Sequence, residues 1–280
     1  MKNAVVITNI FNPQAVEEAG KVEDFLQKNG FQTTAYEFDG KNDEEFTDYD
    51  LAVSLGGDGT VLFAARACLN AGIRIFPINF GKFGFLSGVD RNHWQEKLSA
   101  VISGGEIEEL NRSMLQIVVI RDNKPIFTRF ALNDLVLCGE SPAKTVYLTT
   151  SYNGINIGEF AADGIILSSA TGSTAYSLSA GGPILDPTVD AMILSMINPF
   201  TISDRPLVLS PNSDIRVMLS SSRNPGAVII VDGQIRFNFL ENDILSVKRA
   251  EKQITLLGCS QNSFYSALRS KLHWQGGDFA

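Results

Sequence analysis

The chain has 280 residues, a formal net charge of −8 and a hydrophobic fraction of 44%, which allows about two domains, each with a core of its own. No basic block and no apolar run of membrane-spanning length occurs, and the N-terminus lacks a signal-peptide core; nucleic acid and membrane are excluded as partners and a soluble, cytoplasmic protein is expected. Three scattered cysteines (Cys68, Cys138, Cys259) and two isolated histidines (His93, His273) fit a reducing compartment and give no zinc site and no Ser-His chemistry.

Val5–Thr8 reads as a first buried strand. Pro13–Asn29 reads as a helix, with Val16, Ala19, Val22, Phe25 and Leu26 on one side and Gly30 as its stop. Phe31–Phe38 follows as a second strand, and the acidic 43–50 segment as a solvated connection. Leu51–Leu55 is a third strand, and Val61–Ala71 a helix with Val61, Leu62, Ala65, Cys68 and Leu69 along one face. Ile73–Ile78 is a further apolar run, and Arg91–Ser103 carries Trp94, Leu98, Val101 and Ile102 at helical spacing. Alternation of this kind predicts an α/β domain with a mainly parallel sheet.

Between the third strand and its helix lies Gly56-Gly57-Asp58-Gly59-Thr60. A glycine-rich turn at a helix N-terminus offers backbone N–H groups and the positive end of the helix dipole to a phosphate. Asp58 does not suit a pure phosphate cradle. It reads either as a helix cap or Asx-turn, or as a carboxylate that holds Mg²⁺ or accepts a proton from an attacking hydroxyl. The flanking glycines favour function. Such a turn should lie at the carboxyl ends of the strands, where open α/β sheets bind ligands. The loop Asn79–Gly88 carries three glycines and three phenylalanines, of which one could stack on a base and others, Phe80 and Phe83 among them, could pack beneath it.

From Met114 the pattern changes to short apolar runs separated by turn signals, at Arg121–Pro125, Tyr152-Asn153-Gly154 and Asp232-Gly233. This predicts a β-rich, sandwich-like second domain. Asp232-Gly233 reads as a two-residue hairpin with a structural role. Asn133-Asp134 reads as a plain turn, or as an amide for an adenine edge beside a carboxylate for ribose hydroxyls. The run 163–183 leads a strand into a turn bearing Thr171, Ser173, Thr174 and Tyr176, whose hydroxyls could line a ligand wall. Ser263–Trp274 reads as a terminal helix that returns to the first domain. The predicted boundaries are 1–111 for the α/β domain, 112–258 for the β-rich domain and 259–280 for the tail.

These residues together resemble the NAD kinase family. Gly-Gly-Asp-Gly-Thr at 56–60 is shared with diacylglycerol and sphingosine kinases and phosphofructokinases. The runs DGIILSSATGSTAYSLSAGGPILDP at 163–187, ALNDLVL at 131–137, NPFTISDRPLVL at 198–209 and VDGQ at 231–234 are closer to NAD kinases alone. The resemblance implies transfer of the γ-phosphate of ATP, with Mg²⁺ or another divalent cation, to the 2′-hydroxyl of the adenosine ribose of NAD, giving NADP. It implies a site between the two domains and a homo-oligomer, dimer or tetramer. It also implies Asp58 as the catalytic residue, with Gly56, Gly57, Gly59 and Thr60 around phosphate. Asn133, Asp134, Asp163 and the segment Thr174, Ala175, Tyr176, Ser177, Leu178 and Ser179 would bind nucleotide, with Phe85 near adenine and Lys144, Ala161 and Gln234 at positions that touch NAD in relatives. The chain departs from the family pattern at Asp134, where glutamate is usual, at Ser169-Ala170 for Thr-Pro, and at Asn198-Pro199-Phe200. A dehydrogenase is disfavoured, since no GxGxxG turn follows the first strand.

Overall fold

A computed structural model of the chain describes residues 2–41, 43–81, 84–86, 88–141, 144–201, 204–220 and 226–273. The chain divides into two compact units, Met1–Asn111 with Ile254–Ala280, and Arg112–Gln253.

The first unit runs β1 (Lys2–Asn9), α1 (Pro13–Lys28), β2 (Phe31–Phe38), β3 (Leu51–Gly56), α2 (Asp58–Leu69), β4 (Arg74–Asn79), β5 (Val89–Asp90) and α3 (Trp94–Ser103). The strands form a parallel sheet in the order β4-β3-β1-β2, with β5 beside β4. Both faces of its centre are covered, so β3 is buried along its whole length and reads as one apolar run rather than an alternating one. On one face Ala4, Val6, Val53, Leu55 and Phe76 pack against Ala15, Val22 and Leu26 of α1 and Trp94 and Leu98 of α3. Helix α1 starts where Asn12 accepts from the N–H groups of Gln14 and Ala15, with Pro13 first in the helix.

Helix α2 is buried on every side from Thr60 to Leu69. Phe63 explains part of this, stacking on Phe38 at 4.7 Å and Tyr36 at 5.4 Å. The 43–50 segment is not simply solvated, because Phe46 is buried edge-on against Phe63 and Tyr36 and its N–H donates to Ala67. His93 is exposed beside Asp90, and all three cysteines are free thiols.

The second unit runs β6 (Glu109–Arg121), β7 (Lys124–Ala131), β8 (Asp134–Gly139), β9 (Val146–Tyr152), β10 (Ile155–Ala162), β11 (Gly164–Ser169), a 3₁₀ turn at Thr171–Thr174, α4 (Tyr176–Ser179), β12 (Met192–Ile197), β13 (Leu207–Leu209), β14 (Ile215–Leu219), β15 (Ala227–Val231), β16 (Ile235–Phe239) and β17 (Ile244–Leu257). One antiparallel sheet has the order β13-β12-β11-β8-β15-β16, and the other contains β10-β9-β14-β17 with β6 and β7. Leu135, Leu137, Ile165, Leu167, Leu194 and Ile229 of the first sheet share a core with Leu115, Ile117, Leu148, Val217 and Leu245 of the second, as in a sandwich.

The three turn signals mark the hairpins β6–β7, β9–β10 and β15–β16. Left-handed residues occupy each: Asp122 and Asn123, Asn153 and Gly154, Asp232 and Gly233. The last loop is one residue longer than expected. Val231 pairs with Ile235, and the Gln234 N–H closes the turn onto the Val231 carbonyl at 2.9 Å.

The distal end of β17 belongs to the first unit, where Leu256 pairs in parallel with Ile75 of β4. The same unit holds α5 (Gln261–Leu272), which starts two residues before the expected Ser263 because Ser260 and Ser263 form a reciprocal cap. Phe264 of α5 meets Phe85 at 5.8 Å between ring centres. Trp274 and Phe83 lie outside the described residues. Among the described residues no helix is long and apolar enough to cross a membrane.

Candidate functional site

The turn after β3 is built as a helix start without a side-chain cap. Gly57 is the capping residue, and Asp58, Gly59 and Thr60 form the first turn of α2. The Thr60 N–H donates to the Gly57 carbonyl at 3.0 Å, and Gly56 accepts from the Phe80 N–H at 2.8 Å. A carboxylate in the first turn is favoured by the helix dipole. The Asp58 side chain reaches the loop after β4. Its Oδ2 accepts from the Phe85 N–H at 3.0 Å and its Oδ1 from the Leu86 N–H at 3.2 Å. The loop can come this close because residue 84 is glycine. A Cβ there would stand 1.9 Å from Asp58 Oδ1.

Of the loop phenylalanines, Phe80 packs beneath, 8% exposed and within the core of the sheet. Phe85 is half-buried, its ring against Phe264 and 4.9 Å from the Lys271 ammonium. Thr60 is buried.

The second unit carries a cavity of about 630 Å³. Its polar lining includes Asn133, Asp134, Ser141, Lys144, Asp163, Tyr176, Asn198 and Asp232; Val136, Ile197 and Ile230 give it apolar walls. That mixture, a few polar groups converging on an apolar hollow, is the usual make-up of a small-molecule site. Of the expected residues it brings together Asn133, Asp134, Lys144, Asp163, Ala175 and Tyr176.

The others stand apart from this lining. Ser177 is fully buried, its Oγ 3.3 Å from that of Ser195. Thr174 bonds back to the Thr171 carbonyl, Ala161 lies on β10 and accepts from the Phe200 N–H, and Gln234 closes the β15–β16 turn. Leu178 is half-buried and Ser179 exposed.

The corner Leu132-Asn133-Asp134 is held from both sides. Asp232 accepts three successive backbone N–H groups, from Leu132 at 3.1 Å, Asn133 at 2.9 Å and Asp134 at 3.3 Å. Opposite, the Ser169 N–H and the Ser168 hydroxyl donate to the Asn133 carbonyl, and the Ser169 hydroxyl donates to that of Leu132. Gly172 permits this approach, since a Cβ there would lie 2.1 Å from the Asn133 oxygen.

Asp134 is 5% exposed. Burial, reinforced by the neighbouring charge of Asp232 and only partly offset by the Tyr176 N–H that donates to it, pushes its carboxyl up to about 7. Asp163 is half-buried and accepts from the Asn198 side chain at 3.0 Å. Burial also raises the Cys138 thiol above its ordinary value.

In the sequence, Asp232 reads only as part of a structural hairpin turn. The turn signal was real, but the same carboxylate faces the cavity and organises Asn133 and Asp134. Its position in an Asp-Gly turn beside an apolar strand gave no sign of partners 98 to 100 residues away.

Residues 132–258 match the ATP-NAD kinase C-terminal domain and residues 15–107 the ATP-NAD kinase N-terminal domain. An NAD kinase of Treponema denticola is 41% identical over 278 residues, covering 99% of this chain and 98% of its own. One from Treponema pallidum is 40% identical over 278 residues, covering 99% and 91%. Among solved structures, yeast NADH kinase complexed with NADH superposes with a TM-score of 0.88 at 23% identity, covering 100% of this chain and 89% of that one. An Archaeoglobus fulgidus NAD kinase in complex with ATP gives 0.75 at 25% identity, covering 99% and 100%. Both halves of the sequence are thus accounted for by one family, and the chain is a member of the NAD kinases.

Proposed function

We propose that this chain transfers the γ-phosphate of ATP to the 2′-hydroxyl of the adenosine ribose of NAD, producing NADP. The observation that carries the proposal is the convergence of Asn133, Asp134, Ala175 and Tyr176 on one cavity with apolar walls. The Asn133 amide suits the edge of adenine, the Asp134 carboxylate a ribose hydroxyl, and Val136, Ile197 and Ile230 the faces of the base. The turn Gly56–Thr60, with Phe85 beside it, serves the phosphates and base of the nucleotides. Lys144, Asp163, Ala161, Gln234 and the 174–179 segment complete the NAD contacts.

Asp58 accepts the proton of the attacking hydroxyl. Phosphoryl transfer asks for positioning and charge stabilisation more than covalent help. The Phe85 and Leu86 N–H groups, one on each oxygen, hold the carboxylate of Asp58 in place. A divalent cation carried with ATP would neutralise phosphate charge. The alternative role of Asp58 is to hold that cation together with the phosphates. The reaction belongs to the cytoplasm, where three free thiols persist. A dimer or tetramer is the proposed assembly.

The test is a coupled assay of the purified protein with NAD or NADH, each with ATP or polyphosphate. NADP formation is expected with ATP. Asp58→Asn should keep NAD binding and lose a factor of roughly 10²–10⁴ in turnover. Near-normal turnover in that variant would refute the role of Asp58 as base, and partial rescue by raised Mg²⁺ would assign it to the metal.

A further inference from the structure

We infer that Asp232 is a positioning residue of the proposed adenosine site, fixing the Asn133–Asp134 corner through its backbone and keeping a negative charge beside the Asp134 carboxyl. The inference rests on the assignment of the second-unit cavity to the adenosine half of NAD.

The geometry is specific. Asp232 is 6% exposed and sits at φ +48 in the β15–β16 turn, where its own N–H donates to the Asp134 carbonyl at 2.9 Å. Its Oδ1 serves the N–H groups of both Asn133 and Asp134, and its Oδ2 that of Leu132. The strands on either side are already paired, Val231 with Leu135 and Ser168 with Asp134. Leu132 and Asn133 lie outside these ladders, so without Asp232 their N–H groups next to the cavity would need other acceptors. The side chain of Asn133 is thereby aimed by bonds to its backbone.

The second consequence is electrostatic. Two buried carboxyls share one wall, so the proton affinity of one depends on the charge of the other. Asp134 is the member lifted, to about 7, by burial and by Asp232. The other titratable groups on the cavity walls are Cys138 on the same strand, Lys144 beyond its end, Asp163 after β10 and Tyr176 of α4, which meets Asp134 through its backbone N–H. Arg236 of β16 bears on Cys138 and lies 3.8 Å from Glu140. Ionised Asp134 can accept from a ribose hydroxyl with either oxygen, whereas the protonated acid gives up one oxygen as a donor. NAD affinity should therefore rise with pH through neutrality, with Asp232 setting where that rise occurs.

The experiment measures the Kd of NAD by calorimetry at pH 6 and pH 8, with KM and kcat alongside, for the wild type, Asp232→Asn, Asp232→Glu and Asp134→Asn. In the wild type, Kd should be roughly tenfold weaker at pH 6 than at pH 8. Asp232→Asn removes the charge and one acceptor. Its pH ratio should shrink, with burial still holding Asp134 up, while KM for NAD rises roughly tenfold and kcat changes little. Asp232→Glu keeps the charge and misplaces it, so the pH ratio should survive while KM rises. Asp134→Asn should abolish the ratio.

If Asp232→Asn binds NAD with wild-type affinity and pH dependence, the inference fails and the NAD kinase reading stands. If Asp232→Asn does not fold, the Asp232→Glu and Asp134→Asn results decide: a ratio that persists in Asp134→Asn, or vanishes in Asp232→Glu, overturns the inference. If the wild type binds no NAD at either pH, the assignment of the cavity falls and the inference with it.

Discussion

Gly84→Ala is the sharpest test of how the first unit holds its carboxylate. The new methyl would stand 1.9 Å from Asp58 Oδ1, 2.5 Å from Cγ and 2.7 Å from Oδ2. Restoring ordinary contact requires a retreat of about 1.5 Å, by the loop or by Asp58. Either movement breaks the bonds from the Phe85 and Leu86 N–H groups. A misplacement of this size at a reacting group costs about a hundredfold in rate, so kcat should fall by that order. The overpacking should lower stability by about 2 kcal/mol, seen as a lower urea midpoint. KM for NAD should change less than kcat, because Asn133, Asp134, Ala175 and Tyr176, which carry most of the adenosine assignment, lie in the other unit. Gly81→Ala is the control. Its Cβ would meet nothing closer than 3.6 Å, and it should retain activity. The assay is steady-state NADP formation with denaturant unfolding on the same preparations. A folded Gly84→Ala enzyme with kcat within threefold of wild type would refute the claim that this close approach places Asp58.

Two further outcomes concern buried charge. Asp243 is fully buried and accepts two bonds from the Arg121 guanidinium, at 2.7 and 2.8 Å, while the Arg121 side chain is 35% exposed. Arg121→Ala leaves an uncompensated buried carboxylate and should cost about 3 kcal/mol in urea unfolding, whereas Asp243→Asn, which frees the arginine to turn to water, should cost less; the opposite order would refute this account. For Asp134 the folded carboxyl, lifted to about 7, lies above the ordinary carboxylate range, so the native state binds the extra proton between about 4 and 7 and stability falls as pH rises through that window. Asp134→Asn should therefore exceed the wild type in stability at pH 8, by up to roughly 4 kcal/mol, with the gain vanishing near pH 4; a gain independent of pH would contradict the shift.

Where local chemistry decides structure, the sequence was legible. Asn153-Gly154 and Asp232-Gly233 announced left-handed turns, and the unbroken apolar run of β3 announced a strand covered on both faces. Apolar periodicity located α2 but not its start, because Asp58 and Gly59 carry no hydrophobic signal and the helix begins on an uncapped glycine. The acidic 43–50 segment hid a buried Phe46, since one aromatic among charges makes no pattern. The candidate residues were legible by type, while their partners were not. Asp58 reaches 27 and 28 residues ahead, and nothing near residue 58 specifies the loop that receives it.

The first unit is completed by the end of the chain: Leu257 joins the core of its sheet, and α5 supplies Phe264 to the ring of Phe85. A ribosome delivers those residues after the whole of the second unit. During synthesis the 112–253 segment has emerged in full before its older neighbour can close, so the nascent N-terminal half must wait, partly open, for a sequence not yet translated. Truncation after β17 would accordingly damage the unit begun before its neighbour, and chaperone dependence should concentrate there.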